Sequence, residues 1–260
     1  MMFIIIMENL KIILNKLKNM GCSGIKISFE DEGAQLNEIM TMRYLTAAVG
    51  LELSIKIGGC EAKRDIKECM DIQCDIIVAP MIESGFALKK YTDSIKSCNY
   101  DGKKSFNLET INGYNNFNDF EPLLHKFNSI TVGRVDFVNS INKSRDFANS
   151  NLMYTYVCDI FTKSKDCGLL CNLGGAISID SKEFIEKLIN VNLLDYFETR
   201  YVIFKAENID MSEYEKMIYY ANLFEMEWMK YIQSRYINHA QKDNARINMI
   251  QERLNKNILE

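Results

Sequence analysis

The residues of this chain that could do chemistry are carboxylates placed at the ends of short apolar runs. Glu109 follows Ser105-Phe106-Asn107-Leu108, and Asp136 lies just past Ser129-Ile130-Thr131-Val132, about one strand-and-helix unit further on. Glu30, Asp31 and Glu32 follow the run from Gly24 to Phe29, and Glu83 follows Ile76-Ile77-Val78-Ala79. Lys56 stands near the end of the run from Leu51 to Ile57, ahead of Gly58-Gly59, while Asn172, Gly174 and Gly175 close the run from Gly168 to Leu173. Carboxylates that converge in a cleft repel one another unless a cation neutralises them. Hard oxygen donors with open positions suit Mg²⁺ or Mn²⁺, which take one or two carboxylates and complete their shell with water and substrate. Acidic strand ends that are merely solvated are the alternative. The two glycine pairs could offer backbone N–H groups to an anion, a phosphate or a CoA group, although simple tight turns account for them more readily. Arg134 is a candidate anion clamp or one half of a surface ion pair.

These residues meet only if the elements that carry them close into one body. The apolar runs begin at positions 24, 51, 76, 105 and 129, a recurrence of roughly 25 residues, with helical spacing such as Leu36, Ile39, Met40, Tyr44 and Leu45 between them. Two more runs follow, from Gly168 to Leu173 and from Phe197 to Phe204, and Phe3-Ile4-Ile5-Ile6 supplies an eighth ahead of a helix from Glu8 to Met20 with Gly21 as its C-cap. Strands alternating with single helices predict a parallel sheet. No G-x-G-x-x-G supports an open doubly wound sheet. The fold predicted is α/β, a (β/α)₈ TIM barrel with an extended C-terminal helical tail, whose active residues stand at the C-terminal strand ends. Residues 1–240 form the single barrel domain with its closing helix, and 241–260 form a C-terminal helical extension. In this placement Glu198 and Arg200 begin the last strand, at the opposite face, and read as a structural pair. The tail from Met211 to His239 is rich in Tyr, Met and Phe, and Ile247, Ile250 and Leu254 keep helical spacing beyond it. That surplus of apolar surface predicts a homo-oligomer joined through the C-terminal helices, or a tail folded back on its own barrel.

Composition excludes other classes. The chain has 260 residues, of which 2 are proline, so a collagen-like segment or a proline-rich linker is ruled out. Lys+Arg 31 against Asp+Glu 35, with no basic stripe, argues against nucleic acid as a partner. The 8 cysteines form no C-x-x-C pair, which points to reduced thiols in a cytoplasmic protein. The apolar start from Met1 to Met7 has no basic residue before it and ends at Glu8, so it reads neither as a secretory signal nor as a membrane span. His125 and His239 are the two histidines; His125, beside Leu124 and Phe127, reads as a helix-surface residue.

Phe106-Asn107-Leu108-Glu109-Thr110 and Ile130-Thr131-Val132-Gly133-Arg134-Val135-Asp136-Phe137 together resemble the HpcH/HpaI aldolase and citrate lyase family of phosphoenolpyruvate/pyruvate barrels, with its strand ending in Glu-Thr and the next ending in Gly-x-x-Asp-Leu. Val78-Ala79-Pro80-Met81-Ile82-Glu83-Ser84 resembles that family's preceding Val-Pro-Met-Val-Glu-Thr strand. The resemblance implies that Glu109 and Asp136 hold Mg²⁺ or Mn²⁺ and that the cation chelates a small 2-oxo acid. It implies a carbon–carbon lyase working next to a pyruvate-type enolate. A lyase of a CoA thioester (citramalyl-CoA or malyl-CoA type) and a non-catalytic ligand-binding scaffold are the alternatives. The family's histidine falls at Glu32 and its substrate-carboxylate arginine near Lys56. The implied roles are therefore proton transfer for Glu32 and substrate binding for Lys56, Arg134, Glu83 and Gly174. A Schiff-base role for Lys56 is a rival to its charge role.

Overall fold

In the computed structural model, which describes residues 2–207 and 209–257, eight strands close into a barrel in chain order. They are β1 (Cys22–Ser28), β2 (Glu52–Lys56), β3 (Ile76–Ala79), β4 (Lys103–Leu108), β5 (Ser129–Gly133), β6 (Leu170–Gly174), β7 (Tyr196–Glu198) and β8 (Val202–Lys205). The α-helices are α1 (Met2–Asn19), α2 (Leu36–Val49), α3 (Lys63–Ile72), α4 (Gly85–Ser97), α5 (Ile111–Asn115), α6 (Glu121–Leu124), α7 (Arg134–Ser140), α8 (Asn151–Asp166), α9 (Lys182–Asn190) and α10 (Tyr214–Asn257). The TIM-type barrel with a long C-terminal helix is therefore the observed architecture, with β1 to β7 parallel and β8 antiparallel. None of the described helices is long and apolar enough to cross a membrane.

The strands alternate because their two faces meet different surroundings. Ile25, Ile27, Leu53, Ile55, Phe106, Leu108, Ile130 and Val132 are buried against the helices. The residues between them, Lys26, Ser54, Asn107 and Thr131 among others, line cavities along the barrel axis. Parallel strands covered on both faces usually read as continuous apolar runs. Here the polar positions of the period-2 pattern point inward.

Two expectations about the strands need correction. Phe3 to Ile6 is not a strand: it lies in α1, which continues through Leu10, Ile13, Leu14 and Leu17, all buried at helical spacing. No turn residue interrupts the run before Glu8, so the helical period of the later residues extends to the whole segment. The eighth strand comes instead from the Phe197–Phe204 run, which folds as two strands. Thr199 N–H donates to the Val202 carbonyl (2.9 Å) and Thr199 Oγ1 accepts from Val202 N–H (3.1 Å), making a tight reversal. β8 then pairs antiparallel with both β7 and β1 and closes the barrel.

The long helix α10 has two halves. Tyr214, Met217, Ile218, Ala221, Phe224, Trp228 and Tyr231 are buried at helical spacing on the barrel and α1. From Tyr236 to Asn255 the side chains are exposed apart from half-buried Met249. Positions 258–260 of the expected extension lie outside the described residues.

Candidate active site

A cavity of about 410 Å³ opens at the C-terminal ends of the strands. Its lining includes Glu32, Lys56, Glu109, Asp136 and Gly174, so the fold brings together residues from five separate segments of the sequence.

Glu109 directly follows β4 on the inward face and is buried, 6% exposed. Its Oε1 accepts the Met81 N–H (3.2 Å), and the Asn107 side chain hydrogen-bonds it as well. Burial raises its pKa above the ordinary carboxylate range; Lys56 and the Met81 N–H oppose that rise, and the negative charge of Asp136 adds to it. The Glu-to-Gly pairing across neighbouring strands has a steric cause, since a Cβ at Gly133 would sit 2.5 Å from Glu109 Oε2. Asp136 lies in the first turn of α7, where free N–H groups favour a carboxylate.

Glu32 follows β1, and its side chain is 6% exposed. Its Oε2 accepts the Ser28 N–H (3.2 Å), and Arg200 Nε stands 3.7 Å from Oε1. Burial pushes its carboxyl up to about 7, against the pull of the Ser28 N–H, Lys26 and Arg200. Lys56 ends β2 with its side chain 14% exposed, and its Nζ lies 3.3 Å from Asp31 Oδ2.

The other expected site residues are placed differently. Arg134 is fully buried and points away from the axis. Its Nε and Nη2 donate to the Gly175 carbonyl (3.1 and 2.8 Å), and its Nη1 donates to the Ala148 carbonyl (3.0 Å) and Asn149 Oδ1 (2.8 Å). Its guanidinium lies 4.7 Å over the Phe184 ring, and burial lowers its pKa to about 10. Arg134 therefore braces the loop after β6 and is no anion clamp. The register explains this: Thr131 and Gly133 take the inward positions, so residue 134 faces out. Glu83 is also absent from the cavity lining; its carboxylate accepts the Thr110 hydroxyl (2.6 Å) and its carbonyl accepts Asn116 Nδ2 (2.9 Å). Gly58 N–H is held by Asp65 Oδ2 (2.7 Å), so the anion of that glycine pair is the chain's own carboxylate. Gly174 does line the cavity, and a Cβ there would stand 3.2 Å from Glu198 Oε1.

Glu198 and Arg200, assigned by sequence to the opposite face, stand at this mouth because β7 ends at Glu198. Lys26 is no strand-end residue, since it sits mid-strand in β1. It is paired with Glu198, whose Oε2 also accepts Asn172 Nδ2 (2.5 Å); the same Nδ2 donates to Thr131 Oγ1 (3.0 Å). Glu198 holds Lys26 in its charged form although its side chain is largely withdrawn from water, 15% exposed, and Glu32 and Glu109 add to that effect. The signal was present in the alternation, which puts Lys26 on the face of Ser28.

Asp31, Glu32, Glu109, Asp136, Glu198 and Glu225 are the cavity's 6 carboxylates, against the 4 cations Lys26, Lys56, Arg145 and Arg200. Among the described residues no group of three or more His, Cys, Asp or Glu could hold a metal ion. Glu109 and Asp136 both line the cavity, and the charge of Asp136 acts on Glu109 across it.

No protein-family model matches the sequence, and no curated protein matches it by sequence. Solved structures do match by shape. An HpcH/HpaI aldolase from Desulfitobacterium hafniense DCB-2 aligns with TM-score 0.60 at 9% identity, covering 74% of this chain and 81% of that one. The chain folds as the HpcH/HpaI aldolases do. The citrate synthase SbnG aligns with TM-score 0.58 at 12% identity over 90% of each chain. The protein CitE from Mycobacterium tuberculosis, solved with magnesium and acetate, aligns with TM-score 0.51 at 13% identity over 81% of this chain and 86% of that one. At these identities the likeness is one of fold.

Proposed function

We propose that this chain is a divalent-metal-dependent carbon–carbon lyase that cleaves or forms the bond next to the pyruvate-type enolate of a 2-oxo acid. The observation that carries this reading is the buried Glu109 coupled to Asp136 in a cavity with more carboxylates than cations, beside a carboxyl, Glu32, that titrates near neutrality. The donor set fits Mg²⁺ or Mn²⁺: hard oxygens, a buried Glu109 whose proton affinity the Asp136 charge raises, and a Cβ-free space at Gly133 beside it. A relative of the same fold, CitE, was solved with magnesium.

Glu109 and Asp136 would hold the cation, and when bound it supplies positive charge where an enolate oxygen develops. Lys56 meets the substrate carboxylate as a point charge at the rim. In the cleavage direction the Glu32 carboxylate accepts the C4 hydroxyl proton as the C3–C4 bond breaks. The bonding pair stays on the pyruvate fragment as the enolate, and the other fragment leaves as a carbonyl compound. Return of a proton to C3 completes pyruvate and restores the Glu32 carboxylate. Of the three candidate anion holders, Arg134 and the Gly58 N–H are occupied by the protein itself, and the Gly174-Gly175 pair alone faces the cavity. A small unphosphorylated 2-oxo acid therefore fits this mouth better than a CoA thioester.

Titration with Mn²⁺ and oxalate tests the core of the reading. Oxalate should bind in the presence of the metal, and Asp136→Ala should abolish that binding and slow proton exchange at the pyruvate methyl group by on the order of 10³-fold. Metal-independent oxalate binding, or exchange unchanged in Asp136→Ala, would sink the proposal.

We also infer self-association through the exposed half of α10. Met226, Met229, Tyr236, Ile247, Ile250 and Leu254 are exposed, and their spacing continues a three-four heptad pattern through Gln233, Ala240 and Asp243. Analytical ultracentrifugation should show a dimer or larger assembly that Ile247→Asp with Ile250→Asp dissociates; a monomeric unmodified chain refutes the idea.

A further inference from the structure

The barrel has a second cavity, at the opposite end from the candidate active site. On the N-terminal half of the strands the inward residues are Gly24, Ser54, Ser105 and Ser129, where barrels of this class stack branched apolar side chains. Their small size leaves a chamber of about 320 Å³ among the strand starts. That volume lies at the lower end of the roughly 300–1,000 Å³ of small-molecule pockets.

Two features say what would occupy it. The first is a pair of orphaned acceptors. Asn107 and Asn172, 3% and 8% exposed, line the chamber, and their Oδ1 atoms have no hydrogen-bond partner among the described residues. A buried amide carbonyl left unmatched is costly, so these two atoms call for donors from an occupant. The second is charge balance. Lys26 is paired with Glu198 at the inner end, and Lys103 Nζ lies 2.5 Å from Glu52 Oε1 at the rim. A cation would face two ammonium groups and an anion two carboxylates, so the chamber favours a neutral molecule.

We propose that this chamber is a second ligand site, for a small neutral polyhydroxylated molecule. Hydroxyl groups both donate, as the Asn107 and Asn172 carbonyls require, and accept, as the serine hydroxyls and the remaining Lys26 protons allow. The carbon faces of such a molecule would lie on Ile76, Val78 and Phe127, which belong to the apolar part of the wall. Lys26, Asn107, Thr131 and Glu198 line this chamber and the catalytic mouth alike, so an occupant reaches the polar layer that floors the other site. The proposal stands independently of the lyase reading, because no residue in it acts on the 2-oxo acid.

Isothermal titration and saturation-transfer NMR of the full chain with glycerol, erythritol, xylitol and glucose, one at a time, test it. At least one should bind with a Kd below about 1 mM. Ser54→Leu, which fills the chamber, should weaken that binding by at least about tenfold, and Asp136→Asn should leave it unchanged. Should circular dichroism show that Ser54→Leu does not fold, Ser129→Val at the start of β5 replaces it with the same expected loss. Absence of binding by every polyol would mean that the chamber holds water only, and would overturn the proposal. Binding that survives the filling substitution but is lost in Asp136→Asn would place the polyol at the catalytic mouth, and would overturn it equally.

Discussion

The two ends of the barrel are built from the same strands and differ in what their charges do. At the C-terminal mouth 6 carboxylates face 4 cations, so among the described lining residues negative charge is in surplus. At the N-terminal chamber Lys26 and Lys103 are matched by Glu198 and Glu52, and the rest of the polar lining is hydroxyl and amide. An unbalanced, partly buried charge set binds a counter-charge or shifts its own protons, which is how catalytic sites are made. A balanced set excludes ions and selects by hydrogen bonding. The layer of Lys26, Glu198, Asn172 and Thr131 separates the two regimes and belongs to both.

That layer is where the comparison breaks most easily. Lys26→Met leaves Glu198 buried without its partner and should cost about 3–5 kcal/mol, read from urea denaturation. Adding Glu198→Gln should recover most of the loss, and no recovery would show that the pair is not the cause. At the mouth, Glu32→Gln removes the neutral-range proton. Methyl proton exchange should fall by about 10²-fold, and its rising limb near pH 7 should disappear. Because the folded chain holds this proton up to about 7 and the unfolded chain releases it near 4.5, its contribution to stability is complete below 4.5 and is lost as pH rises to 7. At pH 8 the Gln variant should therefore be the more stable protein, by up to about 3 kcal/mol.

Arg134→Lys sharpens the boundary of the mouth. A lysine cannot serve the Gly175 and Ala148 carbonyls together, so stability should drop by about 2 kcal/mol while oxalate affinity stays unchanged. Weakened oxalate binding in a folded variant would return Arg134 to the site. The smallest effect belongs to the chamber rim. Lys103 and Glu52 are 52% and 43% exposed, so Glu52→Gln should change the denaturation free energy by less than about 0.5 kcal/mol.

Much of this was legible from residue order. The runs from Gly24, Leu51, Ile76, Ser105, Ser129 and Gly168 are all strands, because apolar residues at period two bounded by polar turns have few other ways to bury themselves. Glu32, Lys56, Glu109 and Asp136 were found as strand-end residues by the rule that puts barrel chemistry at that rim, and they do line one cavity. The misplacements share a cause. The segment Phe3 to Ile6 and the run from Phe197 to Phe204 are locally ambiguous: the first continues the helical period of Leu10 to Leu17, and the second reverses at Thr199. Moving the last strand boundary carried Glu198 and Arg200 from one end of the barrel to the other.

By itself, the sequence determined the barrel, the inward and outward faces of its strands and the acidic character of one rim, since period and composition are local properties of the chain. Tertiary structure alone decided which charges are partnered. Arg134 faces outward because the inward register is already taken by Thr131 and Gly133, and Lys26 meets Glu198 across strands that lie far apart in sequence. Burial then sets the chemistry: it raises the Glu32 carboxyl to about 7 by excluding the water that would otherwise stabilise its charge, and no spacing of residues along a chain can state how much water is left.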